Sequence, residues 1–172
     1  MTKENGVRII REEDGRELVV IDEIIFRGKQ NIKWKAVEIY LQKYVGELVE
    51  VVETKEIISI KSDFPDEFAG SIYTEKLKGG LAKAKANSSQ GIIQMVQIAK
   101  RSKIVENKKR RHDRDARRGW HYYKTRFAIL VYVEETKEIR YNYYSARIIV
   151  RHTNSGEKCL YDIQNIKKEK PV

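Results

Sequence analysis

Cysteine and proline are the two residue types that this sequence almost lacks. Cys159 is the only cysteine among 172 residues, which excludes an internal disulfide and makes a reducing compartment the simpler expectation. That compartment is the cytoplasm, or the cytoplasm of a target cell into which a larger protein delivers the chain. The only prolines are Pro65 and Pro171, and no Gly/Ser-rich linker occurs. We therefore expect residues 1–172 to form one domain.

Signatures of several common protein classes are also missing. No run of about 18 apolar residues predicts a membrane span, and residues 1–15 lack the apolar core of a signal peptide. The sequence contains no phosphate-binding glycine loop, no GxSxG nucleophile turn and no HExxH helix. His112 lies close to Asp113 and Asp115, but no second ligand cluster has a recognised spacing. We therefore expect no metal, no cofactor and no membrane partner.

Positive charge is what the sequence has in excess. Lys and Arg number 35 against 25 Asp and Glu, so the net charge is +10 and favours a polyanionic partner. Half of that excess lies in residues 108–118 (KKRRHDRDARR), which we call the basic run. A charge run is often only a solvated surface, so the residues that follow it decide how it is interpreted.

The N-terminal part of the chain predicts a mixture of strands and one helix. A turn at Asp14 connects two short strands, and a helix capped by Asn31 is expected to end near Gly46. Short strands are expected at residues 48–52 and 57–60. This part therefore supplies β/α elements.

The remaining chain predicts two helices followed by a sheet. Paired helices are expected at residues 73–86 and 88–105, from their spacing of apolar residues. Three runs rich in aromatic and β-branched residues predict an antiparallel meander at residues 120–133, 139–152 and 158–166. The expected fold class is therefore α+β, with N-terminal β/α elements and paired helices packed on a C-terminal antiparallel sheet.

The start of this meander follows the basic run directly. Residues 120–126 (WHYYKTR) combine aromatic, hydroxyl and cationic side chains, which is the combination that stacks bases and holds phosphates. The same composition is also ordinary for a strand in a hydrophobic core, so both interpretations stay open. If the interpretation as a site is correct, the basic run is the electrostatic approach to it.

Two of the three histidines are predicted to meet in the sheet. A hairpin that turns around Glu135 places His121 opposite residues 150–152, and therefore close to His152. Imidazoles can serve as general base and acid, and Lys124, Arg126 or Arg151 could stabilise a phosphate during transfer. An isolated surface histidine usually has no chemical role, so this is a hypothesis about a cluster.

Five segments of the sequence are distinctive: NIKWKAVEIYLQKYVGE, SDFPDEFAGSIYTEKLKGGLAKAKANSSQGI, ENKKRRHDRDARRGWHYYKTRFAILV, ARIIVRH and LYDIQNIKKE. Their most specific strings are PDEFAGS, KAKAN, GW and TRFA. Over residues 27–169 the sequence resembles a domain found on large multidomain proteins of phages and mobile elements in Firmicutes.

The domains of that setting most similar to this one belong to the barnase, EndoU, colicin-type and RelE nuclease group. The resemblance implies a helical part against a four-stranded antiparallel sheet and RNA cleavage by 2′-hydroxyl attack without a metal. No single catalytic motif defines the group. In the sequences it resembles, the place of His121 is often tyrosine, a departure that weakens any mechanism dependent on His121. His112, Thr125, Arg126 and His152 match the pattern better.

The sequence therefore favours a metal-independent endoribonuclease of toxin type. The candidate catalytic residues are His112, His121, Thr125, Arg126, Arg151 and His152. The candidate substrate-binding residues are Lys108, Lys109, Arg110, Arg111, Arg114, Trp120, Tyr123, Lys124 and Tyr161.

Two further hypotheses about partners remain open at this point. The chain could instead be a non-catalytic nucleic-acid-binding accessory domain of a phage or mobile-element protein, with RNA favoured over DNA. An acidic immunity or antitoxin protein is a further expected partner, because a producer must tolerate a nuclease toxin.

Overall fold

In the computed structural model, the described residues are 6–28, 31–112 and 116–170, and they contain eight strands and several short helices. The strands are β1 (Val7–Arg11), β2 (Glu17–Ile21), β3 (Leu48–Val51), β4 (Glu56–Ser59), β5 (Lys100–Val105), β6 (Trp120–Val133), β7 (Glu138–His152) and β8 (Lys158–Lys168). The α-helices are α1 (Trp34–Leu41), α2 (Phe64–Gly70), α3 (Ile72–Glu75), α4 (Gly79–Ser88) and α5 (Ile92–Gln97). Single 3-10 turns occur at Gln42–Tyr44, Ser89–Gly91 and Arg110–His112.

All eight strands belong to one mixed, curled sheet with the order β1-β2-β6-β7-β8-β4-β3, and β5 pairs with β6. The three C-terminal strands form the expected antiparallel meander. The N-terminal strands join it in parallel, β2 on β6 and β4 on β8. The α+β class expected from the sequence is confirmed.

Alternation along β6 divides the core in two. Tyr123, Phe127 and Ile129 are buried in the main core, which lies between the sheet and the helices. Ala128 points to the other face, where it packs with Val20 in a smaller cluster. Among the described residues, no helix has both the length and the apolar character needed to cross a membrane.

The N-terminal elements agree with the sequence except at one cap. The two hairpins lie where they were expected, as β1–β2 and β3–β4. The first helix begins at Trp34, with Lys33 at the cap position and no side-chain cap bond, so the prediction of Asn31 as the cap was wrong. Apolar packing of Val37 and Leu41 in the core holds this helix.

The predicted paired helices are both shorter than expected. Residues 73–86 do not form one helix, because Lys78 is extended and Gly79 has a φ of +60°, which separates α3 from α4. The helix predicted at 88–105 ends at Gln97, and residues 100–105 are strand β5 instead. The free edge of β6 supplies hydrogen-bond partners that override the local helical pattern.

Candidate functional site

Gly119 fixes the point at which the basic run enters β6. Its φ is +93°, and a β-carbon there would lie 2.4 Å from the carbonyl oxygen of Val105, so only glycine fits. The Gly119 N–H donates to the Ala116 carbonyl, and the Gly119 carbonyl accepts from the His152 N–H. Trp120 therefore begins β6 in register with Val105 of β5.

A cavity of about 970 Å³, the first cavity, opens beside Trp120. Trp120, Tyr122 and Tyr161 of the sheet line it together with helices α2 and α3 and with residues 105–109, 111 and 112. Four cationic side chains line it, Lys76, Lys108, Lys109 and Arg111, and so do four acidic ones, Asp63, Asp66, Glu67 and Glu106. Three of the cations lie together at residues 108–111, and we call these three its cationic rim.

Three rings in this cavity form one edge-to-face cluster. The His112 ring centroid lies 5.0 Å from that of Trp120 and 5.7 Å from that of Tyr161. Trp120 and Tyr161 are 4.9 Å apart. Edge-to-face packing of this kind holds rings in fixed orientations, so the imidazole of His112 is positioned by the sheet.

Glu67 of α2 lines the same cavity and contacts this cluster. Burial raises the pKa of Glu67, while a hydrogen bond from Tyr161 and the nearby His112 partly offset that rise. Tyr161 thus contacts both Glu67 and His112, so a carboxylate and an imidazole share one tyrosine as a neighbour. A carboxyl group with a raised pKa and a neighbouring imidazole are a suitable pair for general acid–base chemistry.

A buried ion pair lies directly behind this wall. Lys85 Nζ is 3.0 Å from Asp162 Oδ1, and their side chains are only 1% and 0% exposed. Lys85 also donates to Thr74, and Asp162 accepts from Ser71 and Gln164. Because Ser71 and Gln164 line the first cavity, this pair supports its wall from inside the protein.

Sequence reasoning missed Glu67 and this ion pair. Pro65 in the first turn of α2, with Phe64 and Phe68 buried one turn apart, was a signal for a short helix that would have placed Glu67 beside the core. No local pattern pairs Lys85 with Asp162, because 77 positions separate them in the chain.

The prediction that His121 and His152 meet is confirmed. His121 pairs with Val150, and the two imidazole rings lie 4.9 Å apart. They lie on the face of β6 opposite Trp120, and burial lowers the pKa of both. Among the described residues, neither histidine lines the first cavity, so the structure does not bring this pair to His112.

Glu56 is the acidic residue that lies next to the two histidines. Its carboxylate lies 2.7 Å from Lys158 Nζ and 3.5 Å from His121 Nδ1, although neither contact has aligned hydrogen-bond geometry. Burial alone would raise the pKa of Glu56, but its basic and hydroxyl neighbours lower it to about 2. The carboxylate therefore stays ionised within a nearly closed cluster, in which Tyr123 is also fully buried and offers no ring surface to a base.

The other predicted catalytic residues make structural contacts. Arg126 forms two hydrogen bonds with Glu169, which raise its pKa, and it also pairs with Glu12. Thr125 donates to the Met95 carbonyl over 2.8 Å. These contacts hold terminal and helical segments onto the sheet.

Arg151 likewise makes a structural contact, with α2. Its guanidinium donates to both carboxylate oxygens of Asp63, at 3.0 and 3.2 Å. This bidentate pair fixes the helix that carries Glu67 against β7.

The predicted substrate-binding residues divide between two cavities. Lys108, Lys109, Arg111, Trp120 and Tyr161 line the first cavity. Arg110 is exposed in the same 3-10 turn as His112, and Lys124 lines a second cavity. Arg114 lies outside the described residues.

Comparison with protein-family models, curated proteins and solved structures finds no match to this chain. Among the described residues, no three His, Cys, Asp or Glu side chains are grouped so that they could hold a metal ion. Interpretation of the site therefore depends on its own chemistry.

Proposed function

We propose that this chain is a metal-independent endoribonuclease of toxin type, with its reaction in the first cavity. The observation that carries the proposal is that the half-buried Glu67 and His112 both contact Tyr161, in one cavity with a cationic rim. Acid–base catalysis on a phosphodiester needs this set of groups: a base, an acid and cations for the phosphate.

Each group has a role in cleavage by the 2′-hydroxyl. Glu67 accepts the 2′-hydroxyl proton as the oxygen attacks phosphorus, and the bond from phosphorus to the 5′-oxygen breaks. His112 donates a proton to the departing 5′-oxygen, which leaves a 2′,3′-cyclic phosphate and a 5′-hydroxyl end. Lys108, Lys109 and Arg111 stabilise the additional negative charge on the phosphorane. Trp120 supplies a ring on the cavity floor for the neighbouring base.

The test is cleavage of an unstructured RNA by the full chain in EDTA, with detection of the cyclic phosphate end. Glu67→Gln and His112→Ala should each lower kcat by about 10²- to 10⁴-fold, the usual contribution of a general acid or base. Glu75→Gln is the matched control, because Glu75 is an exposed acid of the neighbouring helix α3. Intact RNA at micromolar protein, or full activity in Glu67→Gln, would contradict the proposal.

The second candidate is a non-catalytic nucleic-acid-binding accessory domain of a phage or mobile-element protein. The observation that favours it is that Thr125, Arg126 and Arg151 make structural contacts instead of lining the first cavity. This alternative predicts salt-sensitive RNA binding without cleavage, and equal binding by Glu67→Gln and the unaltered chain.

Two further proposals follow from the first. A nuclease of this kind would act in the cytoplasm, either its own or that of a target cell. An acidic immunity or antitoxin protein would fit the rim formed by Lys108, Lys109 and Arg111, where it would block the cavity.

A further inference from the structure

The sheet surface next to the first cavity carries cations arranged around one tyrosine. Lys103 Nζ lies 5.4 Å and the Arg147 guanidinium carbon 5.0 Å from the centre of the Tyr122 ring. Lys124 pairs with Arg147 across β6 and β7, so its side chain shares their face. We call Lys103, Tyr122, Lys124 and Arg147 the cationic face.

This face connects two cavities. Tyr122 lines the first cavity, and Gln164, which pairs with Arg147, lines it as well. Lys124 and Arg147 line the second cavity of about 460 Å³, together with Lys167. The cationic face therefore begins at the proposed reaction site and ends in a second cavity lined by cations.

The cations of this surface differ from their neighbours in having no acidic partner. Arg126, at the second cavity, is paired with two glutamates, and Lys100 is paired with Glu53. Four other cations form no ion pair within the described part of the chain: Lys103, Lys124, Arg147 and Lys167. Their charge is therefore available to an external anion.

We infer that the cationic face binds single-stranded RNA that continues out of the first cavity, an inference that rests on the proposed function. Tyr122, with the Lys103 and Arg147 cations over its ring, contacts a nucleotide that flanks the cleavage site, and Lys124, Arg147 and Lys167 hold the phosphates that follow at the second cavity. Tyr122 and Lys124 are two residues apart on β6, about 6.6 Å, a distance that one nucleotide of an extended strand can span.

A single strand fits this surface better than a duplex. The rings of Trp120 and Tyr161 line the first cavity, and a base can reach a ring only when it is unstacked from its neighbours. A double helix presents its phosphates but keeps its base faces covered. The occupant is therefore a strand whose bases are free, with at least one nucleotide beyond the cleaved bond.

The test is binding of a fluorescent 2′-O-methyl RNA of about twelve nucleotides, which lacks the attacking hydroxyl and so is not consumed. Lys124→Gln/Arg147→Gln should weaken its Kd about tenfold and reduce the slope of log K against log salt by about 1.4, because two phosphate contacts are lost. The matched control is Arg11→Gln/Arg140→Gln, which removes two exposed charges outside both cavities and should change the Kd less than twofold.

Two results would overturn the inference: equal effects of the two double variants, or a duplex of the same length that binds as tightly as the single strand.

Cleavage kinetics separate this inference from the proposed function. If the unaltered chain cleaves RNA and Lys124→Gln/Arg147→Gln lowers kcat/KM more for the longer strand than for a dinucleotide, both stand. If it cleaves nothing but binding still depends on the cationic face, the proposed function fails alone.

Discussion

Removing either partner of the buried Lys85–Asp162 ion pair should lower the free energy of unfolding. The loss should grow with rising pH when Lys85 is replaced and with falling pH when Asp162 is replaced. The perturbations are Lys85→Met, Asp162→Asn and the two together. Lys85 Nζ lies 3.0 Å from Asp162 Oδ1, and neither side chain has access to water. Burial lowers the pKa of Lys85 and raises that of Asp162, so each ion depends on the other to remain charged.

The expected loss of unfolding free energy equals the cost of neutralising the buried ion whose partner has been removed. In Lys85→Met the folded protein must protonate Asp162, which costs about 4 kcal/mol at pH 7 and about 1.4 kcal/mol less for each pH unit below it. In Asp162→Asn the folded protein must deprotonate Lys85, which costs about 4 to 5 kcal/mol at pH 7 and less as pH rises. Both values agree with the loss of about 3 to 5 kcal/mol for broken buried pairs.

The measurement is the free energy of unfolding in urea at pH 5, 7 and 9. Lys85→Met should lose most stability at pH 9 and Asp162→Asn most at pH 5, while the double variant should lose only about 1 to 2 kcal/mol at any pH. Lys35→Met, which breaks an exposed pair with Glu38, is the control and should change little. pH slopes of the same sign in the two single variants would refute the reasoning.

Three further predictions concern other contacts of the sheet. Glu56 has its pKa lowered to about 2, so the stability it contributes should be lost between about pH 4.5 and pH 2, and thermal unfolding of Glu56→Gln should lack that acid loss. Thr125→Val should lower the free energy of unfolding by about 1 to 3 kcal/mol, because the buried Met95 carbonyl loses its donor. Gly119→Ala should cost about 1 to 3 kcal/mol in urea unfolding from backbone strain, and more where the new methyl group meets the Val105 carbonyl.

The sheet could be predicted from the sequence because its signals are local. The three C-terminal runs alternate, and the polar turns between them determine the register that brings His121 to His152. The strand conformation of residues 100–105 could not be predicted, because it depends on pairing with β6. The parallel pairs of β2 with β6 and β4 with β8 likewise depend on partners more than ninety residues away.

The candidate site was predictable in part, for the same reason. The basic run adjoins Trp120 in the chain, so their shared place at one cavity could be anticipated. Glu67 reaches Tyr161 only after α2 packs on β8, and no spacing in the sequence encodes that contact. Arg126 has the guanidinium group expected of a phosphate ligand, but in the fold it forms ion pairs with Glu12 and Glu169. These partners are far from Arg126 in the sequence, so the pairing could not be predicted.

The parallel insertion of the N-terminal strands has a consequence for how the chain folds. The hairpins β1–β2 and β3–β4 are made early in synthesis, but the meander strands that receive them, β6 and β8, come last. Contacts of such long sequence separation slow folding and leave strand edges unpaired for longer. The first cavity needs Tyr161 of β8, so a partly synthesised chain cannot contain the complete cavity until its last strand has emerged and paired.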